Sequence, residues 1–222
     1  MKKRLLLVPT KLEAEGLTIR ASDYPGLEIE LCGFGMVEAA IQSAALIARY
    51  KPESVLLVGI AGLFASQANR IGSAACFERV AQYGIGSFGK TGFRTPAEMG
   101  LKSSSDESKA DILEERKLET TGCPSVAPLL VTVPSSGLFD EKEILDFFKG
   151  KTPAGPPFAE DMEGYSVACA AAESRVQLTV FRGFSNVVGD RDVINWSIDQ
   201  ALNSVSSLVR SYLEAGEDDH QE

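Results

Sequence analysis

Apolar residues fall along the chain in two rhythms. Short runs at Arg4–Pro9, Leu27–Cys32, Ser54–Val58, Val126–Val133 and Gln177–Phe184 predict strands; the continuously apolar Arg4–Pro9 is expected to be buried on both faces, and Ser54–Val58 is a further buried strand. Ser73–Gln82 predicts one more. Between them lie stretches of helical period. Thr10 precedes a short helix through Leu17, with Glu13 at capping-box spacing. Met36–Tyr50 carries Val37, Ala40, Ile41, Ala44, Ala45 and Ile47 on one side. Phe139–Phe148 and Met162–Ser174 predict further helices. Ser197–Leu213 predicts the last, its core stripe being Ile198, Ala201, Leu202, Val205, Leu208, Val209, Tyr212 and Leu213.

Strands alternating with helices, with glycines at strand ends, predict an α/β fold: one domain, three layers, a central mixed sheet flanked by helices. The domain is expected over residues 1–216, followed by an acidic tail, 217–222. Gly59-Ile-Ala-Gly62 reads as a turn after the third strand. Tyr83–Ser108 is polar and aperiodic, hence a long loop or lid. Lys149–Pro157 is a turn region.

Composition removes whole classes of function. With 222 residues and a net charge of −9, the chain lacks the basic surface a nucleic-acid partner needs. No apolar run approaches a membrane span. The start, Met1 to Pro9, has too short an apolar core for a signal peptide. Cys32, Cys76, Cys123 and Cys169 form no CxxC pair; Cys32 and Cys169 read as buried thiols of a reducing, cytoplasmic compartment. The sole histidine, His220, lies in the tail, which argues against histidine triads and most zinc sites. Carboxylate, amide and hydroxyl chemistry remains.

Glu13 starts a helix where a strand ends, the place at which open α/β sheets bind ligands; favourable contact with the helix N-terminus explains it equally well. Glu160, Asp161 and Glu163 crowd the root of a tightly packed, Ala-rich helix, where a half-buried carboxylate can grip a sugar diol. Ser185-Asn186 closes an apolar strand, as a cap or as a pair of ligand contacts.

Together, Thr10-Lys-Leu-Glu13, Cys32-Gly-Phe-Gly-Met-Val-Glu-Ala-Ala40, Gly59-Ile-Ala-Gly62, Asp161-Met-Glu163 and Arg182-Gly-Phe-Ser-Asn186-Val-Val-Gly-Asp-Arg-Asp192 with Trp196 resemble the purine nucleoside phosphorylase / nucleosidase superfamily, and within it the futalosine hydrolases. Residues 83–125 lie outside the likeness. The resemblance implies that Glu13 activates a water and that Glu163 binds the ribose hydroxyls, with Met162 against the sugar. It implies that Ser185 and Asn186 recognise the base, that Ile60, Ala61 and Gly62 line the substrate, and that no metal or organic cofactor takes part. Phe34 is the candidate for the apolar 5′ side. Arg191 either meets a substrate carboxylate or pairs with Asp190 or Asp192. The implied partner is a small-molecule nucleoside, with no nucleic acid and no membrane, in a homo-oligomer.

Two departures refine this. Ile60 stands where phosphorylases offer a hydroxyl, which favours water over phosphate as nucleophile. Asn186 stands where adenine-specific nucleosidases carry aspartate. A 6-oxopurine presents acceptors at N7 and O6, and an amide donates to them. This favours a hypoxanthine nucleoside, and the resemblance implies which one: release of hypoxanthine from futalosine, to give dehypoxanthine futalosine in menaquinone biosynthesis. A methylthioadenosine/S-adenosylhomocysteine nucleosidase, a phosphorylase and a non-catalytic nucleoside-binding protein are the alternatives.

Overall fold

The computed structural model describes residues 2–90, 92–101 and 115–218. Its elements are β1 (Arg4–Val8), α1 (Lys11–Gly16), β2 (Leu27–Leu31), α2 (Gly35–Tyr50), β3 (Ser54–Leu63), β4 (Ala74–Gln82), β5 (Ser87–Gly89), β6 (Gly92–Arg94), β7 (Glu115–Lys117), β8 (Val126–Thr132), α3 (Glu141–Phe148), β9 (Ala159–Asp161), α4 (Gly164–Glu173), β10 (Gln177–Val187) and α5 (Ile198–Asp218). The mixed sheet runs β10-β4-β8-β9-β3-β1-β2, with β7 beside β4, and β10 also pairs with β3, so one end of the sheet closes on itself.

Alternation along the buried strands sorts the core into faces. Leu5, Leu7, Val55, Leu57, Val180 and Phe184 meet α2 and α4. Leu6, Val8, Leu56, Val58 and Phe181 meet α5 through Leu202, Val205, Val209 and Leu213. A third cluster joins Leu129, Val131 and Val133 to Ile144, Phe147 and Phe148 of α3. The sheet is thus covered by helices on both faces, as the alternation of runs predicts.

β3 decides where a site can form. Its first half pairs with β1, Ser54 to Leu57. Its far end pairs with β9 on that flank, at Gly62 and Leu63. The other flank is held by β10 throughout. Between Leu57 and Gly62 one edge of β3 therefore has no strand beside it among the described residues.

Several expectations need correction. Gly59-Ile-Ala-Gly62 is not a turn: it continues β3, because β10 pairs along its whole length, Arg182 opposite Gly59 and Asn186 opposite Gly62. The buried side of α2 is Ala39, Ser43 and Ile47, so Ile47 packs as expected, whereas Val37 and Ile41 are exposed; apolar residues occupy both sides of this helix, and periodicity alone did not separate them. Met162 precedes α4 rather than starting it, since Ala159–Asp161 form a short strand first. Cys169 is only partly buried. The 83–108 stretch contains the β5–β6 hairpin, tied down by Phe88 and Phe93 against Phe139, Tyr83 and Phe147. Its residues 102–108, like His220, lie outside the described residues. The last helix continues past Leu213 to Asp218.

Among the described residues no helix is long and apolar enough to cross a membrane.

Candidate active site

The gap beside β3 is filled by a side chain. Thr10 caps α1 by accepting from the Glu13 N–H at 3.2 Å, and its hydroxyl donates to Glu13 Oε2 at 2.5 Å. Glu13 Oε1 accepts from the Ile60 N–H at 3.0 Å. The carboxylate thus takes a backbone donor that a neighbouring strand would otherwise satisfy. It is only 5 % exposed.

Gly59 admits this arrangement. A Cβ there would lie 2.5 Å from both Arg182 Nη1 and Glu13 Oε1, so the close approach of the two ionic groups to the strand requires glycine.

Arg182, fully buried, is the residue that reading the sequence left without a role. Its Nε and Nη2 both donate to Asp161 Oδ2, at 3.1 and 2.6 Å. Nη2 also lies 3.5 Å from Glu163 Oε2. Asp161 accepts in addition from the Gly164 N–H at 2.9 Å and the Thr132 hydroxyl at 2.6 Å. An arginine inside Val-Phe-Arg-Gly-Phe was the available signal: a buried cation needs a partner.

Glu163 occupies the N-cap position of α4 and accepts, at Oε1, from the Gly35 N–H at 3.0 Å. This bond ties the start of α2 to the start of α4. Burial pushes the Glu163 carboxyl up to about 7; Arg182 pulls against this, and Asp161 and Glu13 add to it. Burial also pushes the Cys32 thiol, in the same electrostatic neighbourhood, up to about 12. Arg182 is held charged: Asp161, Glu163 and Glu13 outweigh the cost of its burial and raise its pKa.

At the end of β10 a register shift falls between Phe184 and Asn186. The Ser185 hydroxyl donates to Asn186 Oδ1 at 2.8 Å, and Asn186 Nδ2 donates to the Val187 carbonyl at 2.9 Å. A carbonyl only accepts, so the atom facing it must be the amide nitrogen. The side chain is fixed in one orientation, with one of its two N–H groups left over. Ala61 is buried, and Ile60 and Gly62 are half-buried beside it.

Phe34 and Met162 line a groove of about 480 Å³ with Val37, Ile41 and Pro134. Arg191 is not in that groove. Its guanidinium packs over Gly137, where a Cβ would collide with it, and its charge acts on Glu160. Asp190 instead bonds to the Asp192 N–H and Asn195, and Asp192 to the Ile194 N–H. The fold therefore gathers Glu13, Glu163, Ile60, Ala61 and Gly62 around Arg182 and β3, with Ser185 and Asn186 alongside. Phe34 and Met162 stand at the mouth.

No family model matches the chain. Curated relatives include a 5′-methylthioadenosine/S-adenosylhomocysteine nucleosidase of Geobacillus sp., 25 % identical over 81 % of this chain and 76 % of that protein. A futalosine hydrolase of Streptomyces coelicolor is 28 % identical over 90 % of this chain and 83 % of that one. The solved structure of the Helicobacter pylori futalosine hydrolase superposes with a TM-score of 0.70 at 12 % identity, covering 96 % of this chain and 98 % of that chain. The resemblance to the purine nucleoside phosphorylase / nucleosidase superfamily thus extends from motifs to whole-chain similarity and fold.

Proposed function

We propose that this chain is a nucleosidase that hydrolyses the N-glycosidic bond of a 6-oxopurine nucleoside, with futalosine as the substrate and hypoxanthine and dehypoxanthine futalosine as products. The observation that carries the base preference is the locked amide of Asn186. Its spare N–H suits the N7/O6 edge of hypoxanthine, which offers only acceptors. A ligand facing that edge with the wrong partner would leave a buried polar group unpaired, at about 1–3 kcal/mol.

Glu13, held by Thr10 and Ile60, orients a water and takes its proton. The water oxygen bonds to C1′ as the bond from C1′ to N9 breaks. Positive charge grows on the ribose, as in other glycoside cleavage. Glu163, anchored by Gly35, accepts from the 2′ and 3′ hydroxyls and stabilises that charge. Negative charge moves onto the purine, where the Asn186 N–H meets it; the departing base takes a proton from solvent and Glu13 returns the one it took to water, so nucleoside and water give free base and the ribose product. Met162 lies against the sugar, and the Phe34 groove takes the aromatic 5′ group. Phosphate is disfavoured because Ile60 offers no hydroxyl and the buried cation, Arg182, is engaged by Asp161 and Glu163.

A second reading, methylthioadenosine/S-adenosylhomocysteine nucleosidase, is favoured by the Geobacillus relative. Incubation with futalosine, inosine and methylthioadenosine, with and without phosphate, separates the readings by the free base released. Futalosine should be preferred, without phosphate dependence. Adenine release alone would establish the second reading, and phosphate dependence a phosphorylase. The exposed Phe34, Val37 and Ile41 beside the mouth support a homo-oligomer in which a second copy covers them, to be read by light scattering.

A further inference from the structure

Glu160 takes no part in the chemistry above, yet it is 4 % exposed. Register places it. Glu160 pairs with Gly62 across β9–β3, and Gly62 pairs with Asn186 across β3–β10. Residues directly opposite one another in a sheet project from the same face. Glu160, Gly62 and Asn186 therefore form one row on one face, and its middle member has no side chain. A Cβ added at Gly62 would sit 3.4 Å from Asn186 Nδ2 and 3.3 Å from Val188 Cγ2, so Asn186 shares its face and Val188 borders the same space. Two inter-strand spacings, about 10 Å, separate the backbones of the outer two. That span suits a fused two-ring base with a hydrogen bond at each end.

The two ends are chemically complementary to one kind of base. Asn186 presents a donor. Glu160 presents a carboxylate whose Oε1 accepts from the Ser136 hydroxyl at 2.7 Å, which leaves further acceptor positions. Burial raises its pKa, while Ser136, Arg191 and the Gly137 N–H pull it down. Hypoxanthine carries acceptors at N7 and O6 and a donor at N1–H; adenine carries an acceptor at N1.

Resting on the nucleosidase reading, we propose that Glu160 is a specificity-determining residue that accepts the N1–H of a 6-oxopurine whose opposite edge is held by Asn186. The bland alternative is that Glu160 only pins the Ser136–Gly137 loop. A pin would affect every base alike.

The test is calorimetric binding of the free bases hypoxanthine, 1-methylhypoxanthine and adenine to the wild-type chain, E160Q and E160M, with melting temperature followed in parallel. The wild type should bind hypoxanthine in preference to the other two. E160M should weaken hypoxanthine about ten- to a hundredfold and leave adenine unchanged or tighter. E160Q, which keeps a neutral acceptor, should fall between. Equal binding of hypoxanthine and its 1-methyl derivative by the wild type would overturn the proposal without need of any variant. So would equal weakening of all bases in E160Q. Nucleoside cleavage is read separately. Absence of base release with the binding pattern intact would end the catalytic reading alone; base release with no discrimination at N1 would end this one alone.

Discussion

Arg182 gives two of its N–H groups to a single oxygen of Asp161, at 3.1 and 2.6 Å, with no solvent at either residue's side chain to speak of: 0 % and 1 % exposed. A pair this deep is costly to break from one side, because the surviving charge stays buried. Arg182→Met should destabilise the fold by about 3–5 kcal/mol, as Asp161 and Glu163 lose their cation. Denaturant unfolding measures it; a loss below about 1 kcal/mol would mean the carboxylates are neutral or relaxed.

Glu163 has its carboxyl pushed from the ordinary 4.5 to about 7. The folded chain therefore binds this proton more tightly than the unfolded chain does. Its contribution to stability declines as pH rises from about 4.5 to about 7 and is level above. In the proposed role activity moves the other way, since only the ionised group would accept from both ribose hydroxyls. The rate profile of kcat/KM should rise through pH 7. Glu163→Gln should lower turnover by about 10²–10³ and gain stability relative to the wild type between pH 5 and about 7.5. A rate flat across that range would remove Glu163 from the sugar.

Asn186→Asp replaces a fixed donor with an acid facing the Val187 carbonyl. The carboxyl must hold a proton to remain there, and it has no second hydrogen for the base. Preference should move toward 6-amino nucleosides, with the 6-oxo substrate losing about tenfold or more in kcat/KM. Competing the two substrates in one vessel gives the ratio directly; an unaltered ratio would show that this amide does not read the base.

Gly59→Ala puts a methyl 2.5 Å from Arg182 and Glu13. Fold and rate should suffer together: about 1–3 kcal/mol in unfolding, and at least tenfold in kcat from displacement of the carboxylate proposed to orient water. Gly89, whose added Cβ meets nothing within 4 Å, serves as the control; its alanine variant should match the wild type in both.

Much of this was legible in the chain. Leu5–Val8 and Val55–Val58 are apolar runs that only a doubly covered strand accounts for, and Thr10 with Glu13 announced the first cap. What escaped was non-local. Gly59 and Gly62 look like punctuation because glycine more often breaks strands than continues them; only β10, arriving from the far end of the chain, shows that they are paired. The side of α2 that packs is set by α4, so Val37 and Ile41 misled. Asp161 and Arg182 are separated by a helix and half a strand, and nothing local couples them. Glu160 and Asp161 are neighbours in sequence but face opposite sides of a strand only three residues long, too short to leave a period.

Because the Ile60 amide is satisfied by Glu13 and, among the described residues, not by another strand, the proposed ligand cleft is also a missing rung in the ladder. The Ile60 proton then becomes a reporter: its exchange with deuterated solvent follows the carboxylate rather than the breathing of the sheet. Occupancy by a nucleoside analogue should slow that one amide more than its neighbours Val58 and Leu63, so the cleft carries a built-in gauge of its own engagement.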